Sequence, residues 1–108
     1  MVKVVEIVRY STPTYRFISN IDLVENCEKF RVVFTQFGRE VFEKTESDIE
    51  FNGNTALLKL TQEETALFYT KPDPTVKMTV RNKLKSGEVP PAKEFLLTCK
   101  GCEDEEVL

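Results

Sequence analysis

Apolar and polar residues alternate along much of the chain, and this alternation predicts short β-strands. The clearest stretch is residues 30–36, where Phe30, Val32 and Phe34 share one face at a period of two residues. Further strands are predicted at residues 2–10, 15–18, 39–45, 49–51, 55–60, 75–81 and 94–99. Seven or eight short strands, separated by turn signals at intervals of about ten residues, are typical of an all-β sandwich or a small barrel.

Glycine and proline residues mark the predicted turns. Asn52-Gly53 is a strong hairpin signal, because both residues accept a positive φ. Gly38 is placed at the turn that leads from residues 30–36 into residues 39–45. Pro90-Pro91 predicts a stiff edge segment, since two prolines cannot sit in a central strand.

One short helical corner is predicted near residues 61–68. Thr61 and Glu64 have the spacing of a capping box, in which each side chain accepts a hydrogen bond from the backbone N–H of the other residue. We expect one or two helical turns that join two strands, with Leu67 or Phe68 packed in the core. Thr61, Glu64 and Phe68 are therefore assigned a structural role.

The size and composition of the chain fit one folded unit. Its 108 residues suit a single domain. We assign residues 1–102 to a β-sandwich domain and residues 103–108 to an acidic C-terminal tail. The chain contains eight phenylalanines and no tryptophan, and this abundance of phenylalanine favours strands over helices.

The charge balance argues against nucleic acid as a partner. The net charge is −3, whereas nucleic-acid-binding domains carry a basic surface. We interpret Lys77, Arg81, Lys83 and Lys85 as the solvated face of a strand and turn. No apolar run approaches the ~18 residues of a membrane span, and residues 1–9 do not resemble a signal peptide. We therefore expect no membrane partner and a reducing cytoplasm, where the cysteines stay as thiols.

No catalytic centre is predicted. The chain contains no histidine, so neither a Ser-His-Asp nor a Cys-His arrangement can form. The paired carboxylates, Glu63-Glu64 and Asp48 with Glu50, are expected on exposed turns or strand faces, where little burial is available to shift a pKa. We therefore expect a protein that is not an enzyme and that holds no cofactor.

Cys99 and Cys102 have the C-x-x-C spacing that can hold a zinc ion or act as a redox pair. A complete zinc site needs four ligands, and Cys27 is the one further thiol in the chain. We prefer a buried Cys99 and a Cys102 that begins the tail. A metal site at Cys99 and Cys102, shared by two chains, is the weaker alternative.

Residues 54–68 resemble the immunoglobulin pattern of a strand, a short helical corner and an aromatic residue that leads into the next strand. The chain lacks the core tryptophan of that family, and no cysteine directly follows Phe68-Tyr69. The resemblance therefore implies an immunoglobulin-like β-sandwich and says nothing of antibody-type function.

A second set of short motifs spans nearly the whole chain: Thr12-Pro13-Thr14 with Phe17, residues 32–36, residues 60–65, Met78-Thr79-Val80-Arg81 and Glu106-Val107-Leu108. In these motifs the chain resembles a family of small, generally uncharacterised proteins found in phages and prophages of Gram-positive gut bacteria. The resemblance implies a virion-associated accessory of the tail or baseplate, present in the bacterial cytoplasm during assembly and then in the virion.

The leading hypothesis is a phage structural or adaptor protein that acts by protein–protein contact. An unpaired edge strand, at residues 2–9 or 93–99, would add to the sheet of another phage structural protein or of a second copy. The alternative is a binding module for carbohydrate or another surface ligand. Tyr10, Tyr15 and Tyr69 would then form a stacking platform, so their clustering on one exposed face would favour this alternative.

Overall fold

The computed structural model describes residues 5–108, which form two β-sheets. In spatial order, the larger sheet contains β1 (Val5–Val8), β8 (Lys93–Lys100), β7 (Thr75–Leu84), β3 (Cys27–Gln36) and β4 (Arg39–Thr45). The smaller sheet contains β2 (Thr14–Ile18), β6 (Thr55–Lys59) and β5 (Ile49–Asn52). Neighbouring strands are antiparallel except β1 and β8, which run parallel. The chain is therefore mostly β, as the alternating pattern predicts.

The buried side chains of the two sheets form one apolar core. Phe30, Val32 and Phe34 of β3 are buried, which confirms the face that the period of two predicts. The ring of Phe34 lies 4.8 Å from the ring of Phe42 and 5.9 Å from that of Phe68, measured between centroids. Tilted aromatic pairs at these separations add to the stability gained by burial.

The predicted helical corner is α2 (Gln62–Thr65), and it lies between β6 and β7. Phe68, which follows it, is fully buried, whereas Leu67 is 51% exposed. Phe68 is therefore the residue that fastens this corner to the core.

A second helix, α1 (Leu23–Asn26), lies between the predicted strands at residues 15–18 and 30–36, where no helix is predicted. The Asp22 side chain accepts a hydrogen bond from the Glu25 N–H at 3.1 Å and so caps the helix. Leu23 is buried and fastens this helix to the core. A 3₁₀ turn, Glu46–Asp48, joins β4 to β5.

The two predicted hairpin turns, at Asn52-Gly53 and at Gly38, are confirmed. The β5–β6 turn is centred on Gly53 and Asn54, and Gly53 alone of residues 52–54 has a positive φ, 58°. Glycine at the first central position is typical of a type II′ turn. In the β3–β4 turn both Phe37 (56°) and Gly38 (71°) have a positive φ, as a type I′ turn requires.

Within the described part of the chain, the sheet edges are β1 and β4 in the larger sheet and β2 and β5 in the smaller one. β8 lies between β7 and β1, so the predicted unpaired edge at residues 93–99 is wrong for residues 97–99, whereas residues 93–96 have no described strand partner on the β1 side. The parallel β1 covers that side of β8 at Leu97–Lys100. β1 itself is an edge at Val5–Val8, and residues 2–4 of the predicted edge lie outside the described residues.

The acidic tail, residues 103–108, contacts the body of the protein at two points. The Glu105 carboxylate pairs with the Arg9 guanidinium. The Leu108 N–H donates to Oε1 of Gln62 at 2.8 Å, and Nε2 of Gln62 donates to the Leu108 carbonyl at 3.4 Å. These contacts hold the tail beside α2.

Candidate functional site

Within residues 5–108, β2 has a strand neighbour on one side only, which is β6. The Ser19 N–H donates to the Asn54 carbonyl at 2.8 Å, and the Leu60 N–H donates to the Pro13 carbonyl at 3.1 Å. Hydrogen-bonded and non-hydrogen-bonded residue pairs alternate along an antiparallel ladder, so these two bonds show which residues of β2 are hydrogen-bonded to β6. The odd-numbered residues of β2 therefore direct their backbone N–H and C=O groups toward β6.

The even-numbered residues of β2 direct their backbone groups to the opposite, free edge. These residues are Thr14, Arg16 and Ile18, and their side chains are exposed on the outer face of the smaller sheet. Tyr15 and Phe17 project the other way, toward the larger sheet, and are half-buried. One edge thus combines free backbone hydrogen-bonding groups with aromatic side chains turned inward.

A groove of about 830 Å³ lies between β2 and the strands β7 and β8. Its apolar lining includes Phe17, Leu23, Phe30, Met78, Phe95 and Leu97. The ring centroid of Phe17 lies 6.1 Å from that of Phe30 and 6.3 Å from that of Phe95. Phe95 is nevertheless 40% exposed, because it faces the groove, although it shares a strand face with the buried Leu97. The groove therefore leaves apolar surface in contact with water.

The two charged residues that border the groove are both cationic. They are Arg16 and Lys93, and no aspartate or glutamate is among the described lining residues. Neither cation forms an ion pair with another residue in the described range. This arrangement favours an occupant with apolar groups inside the groove and a negative charge at its rim.

The Tyr15 hydroxyl is buried beside the groove, and no described residue forms a hydrogen bond with it. The ring packs against Phe34, with centroids 6.4 Å apart. Burial raises the pKa of Tyr15 to about 12, because the phenolate would lose its hydration. Tyr15 is therefore neutral, and its largely apolar side chain packs between the groove and the core.

The predicted capping box is present at the opposite end of the smaller sheet from α1, away from the groove. Thr61 Oγ1 accepts from the Glu64 N–H at 3.2 Å, and Glu64 Oε1 accepts from the Thr61 N–H at 2.9 Å. The second carboxylate oxygen of Glu64 pairs with Lys44 of β4. Partial burial acts to raise the pKa of Glu64, but the hydrogen bonds from Lys44 and Thr61 outweigh it and hold the pKa below its usual value. Thr61, Glu64 and Phe68 thus join the corner to the core and do not line the groove.

The cysteines do not gather into a described metal site. Cys99 is buried, Cys27 and Cys102 are half-buried, and all three are free thiols. Burial raises the pKa of Cys99 and of Cys27, so neither thiol is activated as a nucleophile. Among residues 5–108, no group of three or more histidine, cysteine, aspartate or glutamate residues is placed to hold a metal ion.

The three tyrosines do not share one exposed face. Tyr15 faces the core, whereas Tyr69 is 62% exposed and lies beside Phe37, with ring centroids 6.0 Å apart. Tyr10 lies beside Arg9, whose guanidinium carbon is 5.3 Å from the ring centroid. These residues therefore do not form a stacking platform of three rings.

The basic stretch around β7 carries partners of opposite charge. Lys77 lies 3.8 Å from Glu94, and Lys83 lies 3.8 Å from Glu28, measured between nitrogen and oxygen. The surface therefore mixes both signs of charge, as expected of a solvated sheet face.

No helix within residues 5–108 is long and apolar enough to cross a membrane. Comparison of the chain with protein-family models, with curated proteins and with solved structures found no match in any of the three.

Proposed function

We propose that the chain is a non-catalytic interaction module that binds an extended segment of a partner protein along β2. The observation that carries this proposal is the edge of β2 that no strand within residues 5–108 pairs with, beside an apolar groove. An added strand would bond to the backbone groups of Arg16 and its even-numbered neighbours. Its alternate side chains would enter the groove, which is how peptides bind when they extend a sheet.

The proposal includes an immunoglobulin-like arrangement of the two sheets. The strand orders β2-β6-β5 and β8-β7-β3-β4 support it, because they match the orders B-E-D and G-F-C-C′ if β2 to β8 correspond to B, C, C′, D, E, F and G. In a constant-type immunoglobulin domain a further strand, A, pairs with B in the B-E-D sheet. Here β1 pairs with β8 in the other sheet, and no described strand takes the place beside β2. That place is suited to a strand from a partner.

The resemblance to small phage and prophage proteins supports a narrower form of the proposal. In this form the chain is a structural or adaptor protein of the tail or baseplate, and its partner is another virion protein. The protein is then present in the bacterial cytoplasm during assembly and afterwards in the virion.

The test compares three immobilised baits: the full chain, Arg16→Ala and Arg16→Pro. Proline at position 16 removes an N–H that faces the free edge and makes no bond to β6, so the described ladder is retained. Alanine removes the same side chain but keeps the N–H. Circular dichroism and thermal unfolding establish that all three baits are folded.

Partners recovered from lysates of Gram-positive bacteria with induced prophages are then purified and titrated against each bait by calorimetry. We expect the proline variant to bind roughly tenfold more weakly than the alanine variant, because it loses a backbone hydrogen bond and disturbs the added strand. Partners that all bind the proline variant as tightly as the parent chain would contradict the proposal.

A further inference from the structure

We infer that the segment bound along β2 carries an acidic residue between two apolar residues, an inference that rests on the proposed function. The pattern follows from the register that β2 imposes on an added strand. Residues directly opposite one another in adjacent strands project on the same face of a sheet. The residue opposite Arg16 therefore projects on the outer face, and its two neighbours project toward the groove.

Arg16 selects an acidic residue at the central position. Its side chain is exposed and forms no ion pair with a described residue, and its cross-strand neighbour in β6 is Leu57. A directly opposed pair of opposite charges stabilises two strands, and a pair of like charges destabilises them.

The two neighbours of the acidic residue lie opposite Tyr15 and Phe17 and enter the groove. An apolar side chain there covers the exposed part of Phe95 and so removes apolar surface from water. A charged side chain in the same place would lose its hydration against an apolar lining. The groove therefore selects apolar residues on both sides of the acidic one.

The positive charge of Arg16 argues against a second copy of this chain as the strand bound along β2. Antiparallel pairing of two β2 strands over their full length, Thr14–Ile18, places Arg16 of one copy opposite Arg16 of the other. Two guanidinium groups in a directly opposed pair repel each other. The partner is therefore a different protein whose strand supplies the carboxylate.

The test is a selection from a displayed library of random short peptides, with the purified full chain as bait. Parallel selections use Arg16→Glu, which reverses the charge at the edge, and Lys71→Glu, which makes the same charge change in a loop outside the groove. Lys71 is exposed and does not line the groove, so it controls for net charge. Each enriched peptide is then titrated against all baits and against Arg16→Pro.

The parent chain and Lys71→Glu are expected to enrich an apolar–acidic–apolar core, and Arg16→Glu an apolar–basic–apolar core. Each peptide should bind the mismatched bait roughly tenfold more weakly. Peptides that lose binding to Arg16→Pro but show no preference at the central position would overturn the inference and leave the proposed function intact. Peptides that bind Arg16→Pro unchanged would overturn both. A chain that is dimeric in light scattering and monomeric as Arg16→Pro would place a second copy at the edge and overturn the inference.

Discussion

The side-chain amide of Gln36 pairs with both backbone polar groups of Tyr69. Its Nε2 donates to the Tyr69 carbonyl at 2.6 Å, and its Oε1 accepts from the Tyr69 N–H at 2.8 Å. Nε2 also lies 3.3 Å from the Asp73 carbonyl. Gln36 is 4% exposed, so the end of β3 supplies hydrogen bonds to a segment that forms neither helix nor strand.

Replacing Gln36 by alanine is expected to lower the free energy of unfolding by about 1–2 kcal/mol, because the Tyr69 N–H loses its acceptor. Urea denaturation measures this change. Gln62→Ala is the matched control, since its amide also bonds a backbone, that of Leu108, but at an exposed site. Its effect should stay below about 0.5 kcal/mol. Equal losses in the two variants would contradict this role for Gln36.

Replacing Tyr15 by phenylalanine is expected to raise the free energy of unfolding at neutral pH by about 1 kcal/mol. The hydroxyl is buried without a hydrogen-bond partner among the described residues, so its removal relieves a desolvation cost and leaves the ring in place. Chemical denaturation of both proteins in the same buffer tests this. A loss of stability in the variant would show that the hydroxyl makes a favourable interaction.

Tyr15 also predicts a loss of stability in alkali. Its pKa is raised from 10.0 to about 12 in the folded protein, so the unfolded chain releases this proton first. Ionisation of Tyr15 therefore leaves the stability unchanged below pH 10 and lowers it as the pH rises from 10 toward 12. The decline in unfolding free energy over this range should be shallower in Tyr15→Phe than in the parent chain. Equal declines in the two proteins would contradict the raised pKa of Tyr15.

Glu64 predicts a loss of stability in acid. Its pKa in the folded protein lies below the usual 4.5, so its contribution is present above pH 4.5 and is lost as the pH falls through the folded value. Glu64→Gln keeps an oxygen that can accept from the Thr61 N–H but removes the charge that pairs with Lys44. Stability measured from pH 6 to pH 3 should fall more steeply in the parent chain than in this variant. Glu63→Gln, at the exposed neighbouring position, should lose stability with falling pH as steeply as the parent chain.

Local sequence signals predict those parts of the fold that depend on neighbouring residues. The period of two locates the buried face of β3, and the spacing of Thr61 and Glu64 locates α2. The same reasoning misses α1, although Asp22 before Leu23 is an available capping signal. It also does not predict the positive φ of Phe37, because a bulky residue rarely adopts that conformation.

The candidate site depends on packing between distant parts of the chain, which local patterns do not encode. The groove needs Phe17 of β2 to face Phe95 of β8, and these residues lie on different sheets. The pairing of β1 with β8, rather than with β2, also depends on the overall topology and is not predicted by the local sequence. The alternation of Tyr15 and Phe17 with Arg16 and Ile18 is the one local hint of a strand with an inward and an outward face.

The most direct test of the central claim is amide hydrogen exchange along β2, measured by nuclear magnetic resonance with and without a saturating peptide from the selection. In the free chain, the amides of Arg16 and Ile18 should exchange fast, and those of Tyr15 and Phe17 should be protected by β6. On saturation, exchange at Arg16 and Ile18 should slow by about tenfold or more, with Tyr15 and Phe17 unchanged. Fast exchange at Arg16 and Ile18 in the saturated complex would show that the peptide does not pair with β2 and would contradict the account.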